Sequence, residues 1–252
     1  MKALVTGASS GIGRDMAIVL SKMGYDLILV ARRKEKLQEL SMELPTKSRI
    51  ICMDISEEEA CLSLFDMVKE ENIEILINNA GFGIFGAFVK TDLKTELRMI
   101  DTNIKAVHIL TKLFLEEFIS RNSGYILNVA SSAAFLPGPL LSGYYATKAY
   151  VLRLTQAIHE ELRREGSRVY IGTLCPGPVE TEFDKTANVK FSVKGLSSSC
   201  VAEYAIKMMF IRRMTIVPGT TMKLARFFDK ITPDKLLLRI AYKIQKRKEG
   251  GN

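Results

Sequence analysis

No apolar run in this 252-residue sequence approaches the ~20 residues that a membrane-crossing helix needs, so no spanning segment is expected. The first apolar strand starts directly after Met1-Lys2. That leaves no room for a secretory leader and predicts a cytoplasmic protein. The four cysteines, at 52, 61, 175 and 200, form no CxxC pair and no metal-ligand spacing. Free, buried or half-buried thiols follow, and neither a disulfide framework nor a metal centre. Histidine is scarce: His108 and His159 fall on separate predicted helices with no ligand cluster and read as structural. Repeats, low-complexity tracts and linkers are lacking too, so residues 1–252 read as one α/β domain.

The net charge of +8 is not spread evenly. Between Lys223 and Glu249 nine Lys/Arg face three Asp/Glu, a local +6 that leaves +2 for the rest. A helix-turn-helix, a zinc module and basic residues interleaved with aromatics are all missing, which excludes a nucleic-acid partner from the reading.

What is present is organised around Thr6-Gly7-Ala8-Ser9-Ser10-Gly11-Ile12-Gly13. An apolar strand, Ala3-Leu4-Val5, precedes it, and a helical pattern with Ile12, Met16, Val19, Leu20 and Met23 follows. Three glycines in seven residues form a tight strand-to-helix turn. They also let a backbone approach a pyrophosphate at a helix N-terminus, where unpaired N–H groups and the positive dipole end lie. Ser9, Ser10 and Ile12 belong to that loop. Next along the chain an acid is missing. The buried strand Asp26–Ala31 ends in Arg32-Arg33-Lys34, where a dinucleotide fold that binds a ribose diol carries a carboxylate. Arginines there suit a 2'-phosphate, which predicts NADP(H), with Arg32 as the main contact and Arg33 assisting.

Further strands are predicted at Arg49–Met53, Glu74–Ile77, Gly124–Ala130, Arg168–Leu174 and Met214–Val217. Their carboxyl ends collect polar residues. Asp54 and Ile55 follow the third, where Asp54 either accepts from an adenine amino group or helps a helix cap starting at Ser56. Asn78-Asn79-Ala80-Gly81 follow the fourth. A long helix, Leu93 to Phe118, carries the stripe Leu97, Ile100, Ile104, Val107, Thr111, Phe114 and Phe118, with Asn103 inside it. A mid-helix Asn is either exposed and tolerated or kept for a bond. Ser131-Ser132 end the fifth strand, on the ligand side of a doubly wound sheet. Tyr144 and Lys148, four residues apart, share one helical face. Residues 182–199 show no periodicity and read as a lid, and a helix is expected at about Ser199–Met209.

This series of motifs resembles the short-chain dehydrogenase/reductase family over roughly residues 1–220: the glycine turn, Asn78-Asn79-Ala80-Gly81, the mid-helix Asn, Ser131 before Tyr144 and Lys148, and Cys175-Pro176-Gly177. The resemblance implies a Rossmann fold with a seven-stranded sheet ordered 3-2-1-4-5-6-7. It casts Tyr144 as the acid/base, with Ser131 and Lys148 as partners and Asn103 supporting a proton relay. It places Val179 and Thr181 near a nicotinamide and implies a homodimer or homotetramer formed through two long helices. Ser132 and Tyr145 stay open as neighbours of the two roles. The implied activity is interconversion of a small-molecule carbonyl and an alcohol. A methyltransferase on the same fold has no use for the Tyr-Lys pair, and a non-catalytic NADPH-binding sensor has no need of Ser131, Tyr144 and Lys148 together. Phe82, Ile84, Phe85, Phe135, Leu136 and Leu141 line either an apolar pocket or a subunit contact.

The basic extension, about 223–252, reads as an amphipathic helix starting at Thr232-Pro233-Asp234. Lys235, Arg239, Lys243 and Lys246 or Arg247 fall on one side; Leu236, Leu237, Ile240, Ala241 and Ile244 fall on another. Its apolar side is expected either to close the enzyme's cleft or a subunit contact, or to meet an anionic membrane surface peripherally.

Overall fold

The computed structural model describes residues 1–182, 195–220, 222–224 and 232–246. Strands β1 (Lys2–Thr6), β2 (Asp26–Ala31), β3 (Ser48–Cys52), β4 (Ile73–Asn78), β5 (Tyr125–Val129) and β6 (Tyr170–Leu174) alternate with helices α1 (Gly11–Lys22), α2 (Lys34–Glu43), α3 (Glu58–Val68), α4 (Leu93–Ile100), α5 (Ala106–Ser120) and α6 (Ser142–Arg164). Two short strands follow, β7 (Val179–Glu180) and β8 (Leu196–Ser197), then α7 (Ser198–Phe210), β9 (Thr215–Ile216) and α8 (Asp234–Lys246). The main sheet has seven parallel strands in the order β3-β2-β1-β4-β5-β6-β9, the doubly wound Rossmann arrangement expected; β9 is its seventh member. β7 and β8 pair separately, so the carboxyl end of the expected lid is strand and helix start. Residues 183–194 lie outside the described residues.

The strands are apolar on both sides because both faces are covered. Leu27 and Leu29 of β2 join one cluster, with Met16 and Leu20 of α1, Leu37 and Leu40 of α2 and Val201 and Ala205 of α7. Ile28 and Val30 alternate into the other, with Leu64 of α3, Phe114 and Phe118 of α5 and Leu162 of α6. Each such side chain contributes about 1.5–3 kcal/mol on burial. The strands therefore lie edge to edge with their carboxyl ends on one rim.

One stretch corrects the predicted periodicity. Between α4 and α5 the chain makes a π turn, Asp101–Lys105, closed by the Ala106 N–H donating to the Asp101 carbonyl. The extra residue turns everything before it by about 100° relative to everything after it. Val107, Thr111, Phe114 and Phe118 reach the core as expected, but Leu97 and Ile100 are exposed and Met99 is buried in their place. Two smaller corrections concern helix starts. Glu57, not Ser56, holds the cap position of α3. The Pro233 carbonyl accepts from Leu236 and Leu237 N–H, placing the proline just before the first turn of α8 rather than within it.

Candidate active site

The glycine turn brings β1 to α1. Ser10 stands at the helix cap with no side-chain bond to the first turn, and no acid occupies that turn. The first turn, at Gly11 and Ile12, thus borders a cavity whose carboxylates, Asp54 and Glu182, come from outside the helix. Gly7, at φ +65°, is a glycine for a second reason. A Cβ there would come within 2.8 Å of Ala80 Cα and of the Asn79 amide. Asn79 Nδ2 donates to the Thr6 and Gly7 carbonyls at 3.1 and 3.2 Å, and the Asn79 and Ala80 N–H groups donate to Thr6 Oγ1. Gly13 packs against the same amide and does not border the cavity.

The cavity has a volume of about 570 Å³, within the range of small-molecule and cofactor sites. It brings together Gly7, Ser9, Ser10, Gly11, Ile12, Arg32, Arg33, Asp54, Ile55, Asn79, Ala80, Gly81, Ser131, Tyr144, Lys148, Pro176, Gly177, Val179 and Thr181. Of the residues predicted for the site, only Gly13 and Asn103 stand behind its wall.

At one end the two arginines divide their partners. Arg33 donates to Ser9 Oγ at 3.0 Å, Ser10 Oγ at 2.9 Å and Glu182 Oε2 at 2.8 Å. Arg32 turns to Asp54, with 3.6 Å between Nη1 and Oδ2. It is therefore Arg33, expected only to assist, that lies over the serines of the glycine turn. Asp54 also receives Arg98 at 2.6 Å and the Ser56 N–H at 3.1 Å. Burial pushes its carboxyl up, but the bonds from Arg98 and Ser56 and the Arg32 charge outweigh that and hold it below the ordinary value. Nothing in the sequence spacing pointed to Arg98, forty-four positions away.

At the other end, Ser131, Tyr144 and Lys148 converge. The Ser131 hydroxyl hydrogen-bonds Tyr144 and also accepts from the Ala133 N–H. Lys148 Nζ lies 5.8 Å from the Tyr144 ring centre and donates to the Val129 carbonyl at 2.9 Å, not to the phenol. Both groups are buried. Burial drives the Tyr144 phenol upward, opposed by the Ser131 bond, and drives the Lys148 ammonium down to about 8.

Asn103 is fully buried. Its Nδ2 donates to the Phe82 carbonyl at 2.9 Å and to Thr147 Oγ1 at 3.0 Å, and its Oδ1 accepts from the Phe82 N–H. Thr147 in turn donates to the Tyr144 carbonyl at 2.7 Å. The π turn is what aims this amide inward. A Cβ on Gly81 would meet Asn103 Oδ1 at 2.8 Å and Lys148 Nζ at 3.2 Å, so both polar groups close on that glycine.

The remaining wall is apolar and partly comes from the tail. Phe82, Leu141, Tyr145, Met222, Ile244 and Gln245 border it. Ile84 and Phe85 sit one layer back, packed with Met99 and Tyr144, while Phe135 and Leu136 border a separate shallow pocket. Gln245 Nε2 donates to Tyr145 Oη at 2.5 Å, and its Oε1 is buried without a partner. An unpaired buried acceptor costs about 1–3 kcal/mol. Gln245 was not foreseen, because its amphipathic position gives no sign of which surface the helix meets.

Comparison with known proteins now bears on the family. The sequence profile described as short chain dehydrogenase matches residues 1–190. This chain belongs to the short-chain dehydrogenase/reductase family. It is accordingly an oxidoreductase that works between alcohol and carbonyl groups with a nicotinamide nucleotide. An uncharacterised oxidoreductase of Staphylococcus epidermidis is 33% identical over 184 residues, covering 71% of this chain and 78% of that one. The human very-long-chain 3-oxoacyl-CoA reductase is 34% identical over 191 residues, covering 73% of this chain and 61% of its own length. A short-chain dehydrogenase of Sphingobium yanoikuyae, solved in complex with NADPH, superposes with a TM-score of 0.81 at 30% identity, covering 87% of this chain and 88% of that one.

The residues on the cavity wall fit such a nucleotide. A helix N-terminus with no acid in its own first turn borders the cavity, arginines and serines stand at one end, and Gly81 keeps the space beside Lys148 clear of a side chain. Among the described residues no group of three or more His, Cys, Asp or Glu is placed to hold a metal ion. None of the four cysteines is in a disulfide: Cys61 and Cys175 are buried, whereas Cys52 and Cys200 are exposed, against expectation. His108 Nδ1 pairs with Tyr150 Oη at 2.7 Å and His159 Nδ1 with the Ile171 carbonyl at 3.0 Å, away from the cavity.

Proposed function

We propose that the protein is an NADPH-dependent reductase of an apolar carbonyl compound, with Ser131, Tyr144 and Lys148 as its proton-handling group. The observation that carries this reading is the single cavity with the Ser131-Tyr144 bond and Lys148 at one end and Arg32, Arg33, Ser9 and Ser10 at the other. Bound NADPH supplies the hydride. The chain's own residues do the rest. The upward displacement of the Tyr144 phenol keeps its proton on at neutral pH, the form needed to protonate the oxygen of a carbonyl being reduced. Ser131 orients that oxygen by donating to it. Lys148, displaced to about 8, exchanges protons near neutrality and would hold the nucleotide's ribose. Asn103, through Phe82 and Thr147, holds the cavity wall and the start of α6 in place.

The same arginines support NADPH over NADH. A 2'-phosphate would take the place of the Glu182 carboxylate on Arg33 and share Arg32 with Asp54. The test is NADPH and NADH turnover over a panel of aldehydes and ketones, with Arg32→Ala and Arg33→Ala. Loss of the NADPH preference is expected in both, and more in Arg33→Ala. Equal affinity of the unaltered enzyme for the two nucleotides overturns the cofactor assignment. Tight NADPH binding with no turnover supports a sensor instead.

A second reading concerns α8. Ala241 and Gln245 are buried and Leu237 half-buried, so this stripe meets the enzyme, whereas three of the five residues expected on the apolar side are exposed. Leu236, Ile240 and Ile244 form a separate stripe that is 44–51% exposed. Lys235, Arg239, Lys243 and Lys246 adjoin that stripe against one acid, Asp234. This pairing of exposed apolar and cationic rows supports peripheral contact with an anionic membrane beside the mouth of the cavity. Among the described residues no helix is long and apolar enough to cross a membrane. Self-association, the other partner proposed, is supported by the exposed row Leu93, Leu97 and Ile100 on α4.

A further inference from the structure

We infer that Arg98 is a positioning residue for nucleotide choice: by taking up the Asp54 carboxylate from behind the cavity wall, it keeps the Arg32 guanidinium open to the 2'-phosphate of NADPH. This rests on the reading of Arg32 as a phosphate contact and adds a further arginine that does not itself touch the nucleotide.

Three arginines and two carboxylates meet at this end of the cavity. Glu182 is matched by Arg33 at 2.8 Å. Asp54 has two claimants. Its Oδ1 accepts from the Ser56 N–H at 3.1 Å, which leaves Oδ2 to the arginines. Arg98 Nη2 donates to that oxygen at 2.6 Å, a charge-assisted hydrogen bond. Arg32 Nη1 stops 3.6 Å from the same oxygen, beyond hydrogen-bond range. Asp54 is the one ion-pair partner of Arg32 among the described residues. The Arg32 side chain is 57% exposed and borders the cavity, so a ligand reaches it. Arg98, on α4, does not border the cavity.

Charge then divides in one way. With Glu182 matched by Arg33 and Asp54 by Arg98, the surplus positive charge falls on Arg32, which stands open to a ligand. Take Arg98 away, and Asp54 and Arg32 are left as each other's nearest opposite charge. Closing from 3.6 Å to hydrogen-bond distance engages the guanidinium before any nucleotide arrives. A 2'-phosphate, a monoester with close to two negative charges, then has to break that pair and lie beside the released carboxylate. A nucleotide with a free 2'-hydroxyl has neither requirement. Arg98 therefore sets the difference in affinity between the two nucleotides and not the affinity they share.

The experiment is calorimetric titration of the nucleotide-free protein with oxidised NADP and with NAD, which differ only in the 2'-phosphate. It is run in about 0.15 M salt, where exposed charges more than about 8 Å apart are largely screened. Arg98→Met, which keeps the length of the stem, should bind NADP about fivefold more weakly, the size of one exposed charge contact, with NAD affinity unchanged. Arg98→Lys, sufficient for a single contact, should recover most of that loss. In Asp54→Asn, whose Oδ1 still accepts from Ser56, the preference for NADP should be at least that of the unaltered protein, and adding Arg98→Met should change nothing further. General damage to α4 weakens both nucleotides together and leaves their ratio as it was. A ratio unchanged in Arg98→Met, or one lowered equally with and without the Asp54 carboxylate, overturns the inference and leaves the NADP preference standing. No preference for NADP in the unaltered protein overturns the reading of Arg32 as a phosphate contact, and the inference with it.

Discussion

Tyr144 and Lys148 are both buried at the cavity wall, and dehydration acts on the two in opposite directions. A phenol is kept protonated and an ammonium is pushed toward neutrality, so each favours the uncharged form. Removing only the hydroxyl, in Tyr144→Phe, should leave NADPH affinity intact and lower turnover by at least ~100-fold, the lower end for general acid–base catalysis. Tyr145→Phe should cost turnover far less. The reverse order of the two would show that Tyr145 is the proton donor. Lys148 also makes a statement about stability. Its folded value, about 8, lies below its ordinary 10.5, so between these limits the unfolded chain binds more protons than the folded one. Stability then rises with pH across that window. The penalty below pH 8 is about 3 kcal/mol, at 1.36 kcal/mol per unit. Chemical denaturation of the nucleotide-free protein from pH 7.5 to 10 should show this rise, and Lys148→Met should lack it. Identical pH slopes in both proteins would mean that the lysine is already hydrated.

At the scale of elements, the π turn between α4 and α5 decides two outcomes with one inserted residue. It aims Asn103 at Phe82 and Thr147, and it turns Leu97 and Ile100 outward while Met99 goes in. Met99→Ala should therefore cost about 2–5 kcal/mol in chemical denaturation, as for a large-to-small core change. Leu97→Lys should leave monomer stability within about 0.5 kcal/mol, the usual range for a surface site. If α4 carries a subunit contact, the same variant should shift the sedimentation of the assembled protein toward monomer. A Leu97→Lys protein that loses the stability expected of Met99→Ala would place Leu97 in the core after all.

For the whole molecule, the doubly wound sheet sets the cavity on the carboxyl rim, and the tail adds the last wall. Because α8 contributes one stripe to that wall and shows another to the outside, membrane contact and access to the cavity share one helix. Co-sedimentation with vesicles containing anionic phospholipid should capture the full chain at low salt and release it at high salt. Each cation near the surface contributes about 1 kcal/mol. Lys235→Glu with Arg239→Glu should abolish capture while NADPH binding persists. Capture that is absent, or insensitive to both salt and charge reversal, removes the membrane reading.

Much of this was legible in residue order, and the reason is local. Glycines at 7, 11 and 13, strands apolar on both faces, and a Tyr–Lys pair four residues apart each express themselves within a few residues. They carry the family resemblance that implied the sheet order, and nearly every residue predicted for the site lies on the cavity wall. What spacing leaves open is settled by distant parts of the chain meeting. Arg33 rather than Arg32 covers the serines, because Asp54, which Arg98 also binds, draws Arg32 aside. The direction in which the Tyr144 phenol shifts follows from how much protein surrounds it. An added residue in a helix leaves no mark on an apolar pattern until Met99 is seen buried and Leu97 exposed. Gln245 meets Tyr145 across one hundred positions. The helical period of α8 fixes which residues share a stripe, but only its docking against the cavity determines which stripe faces inward.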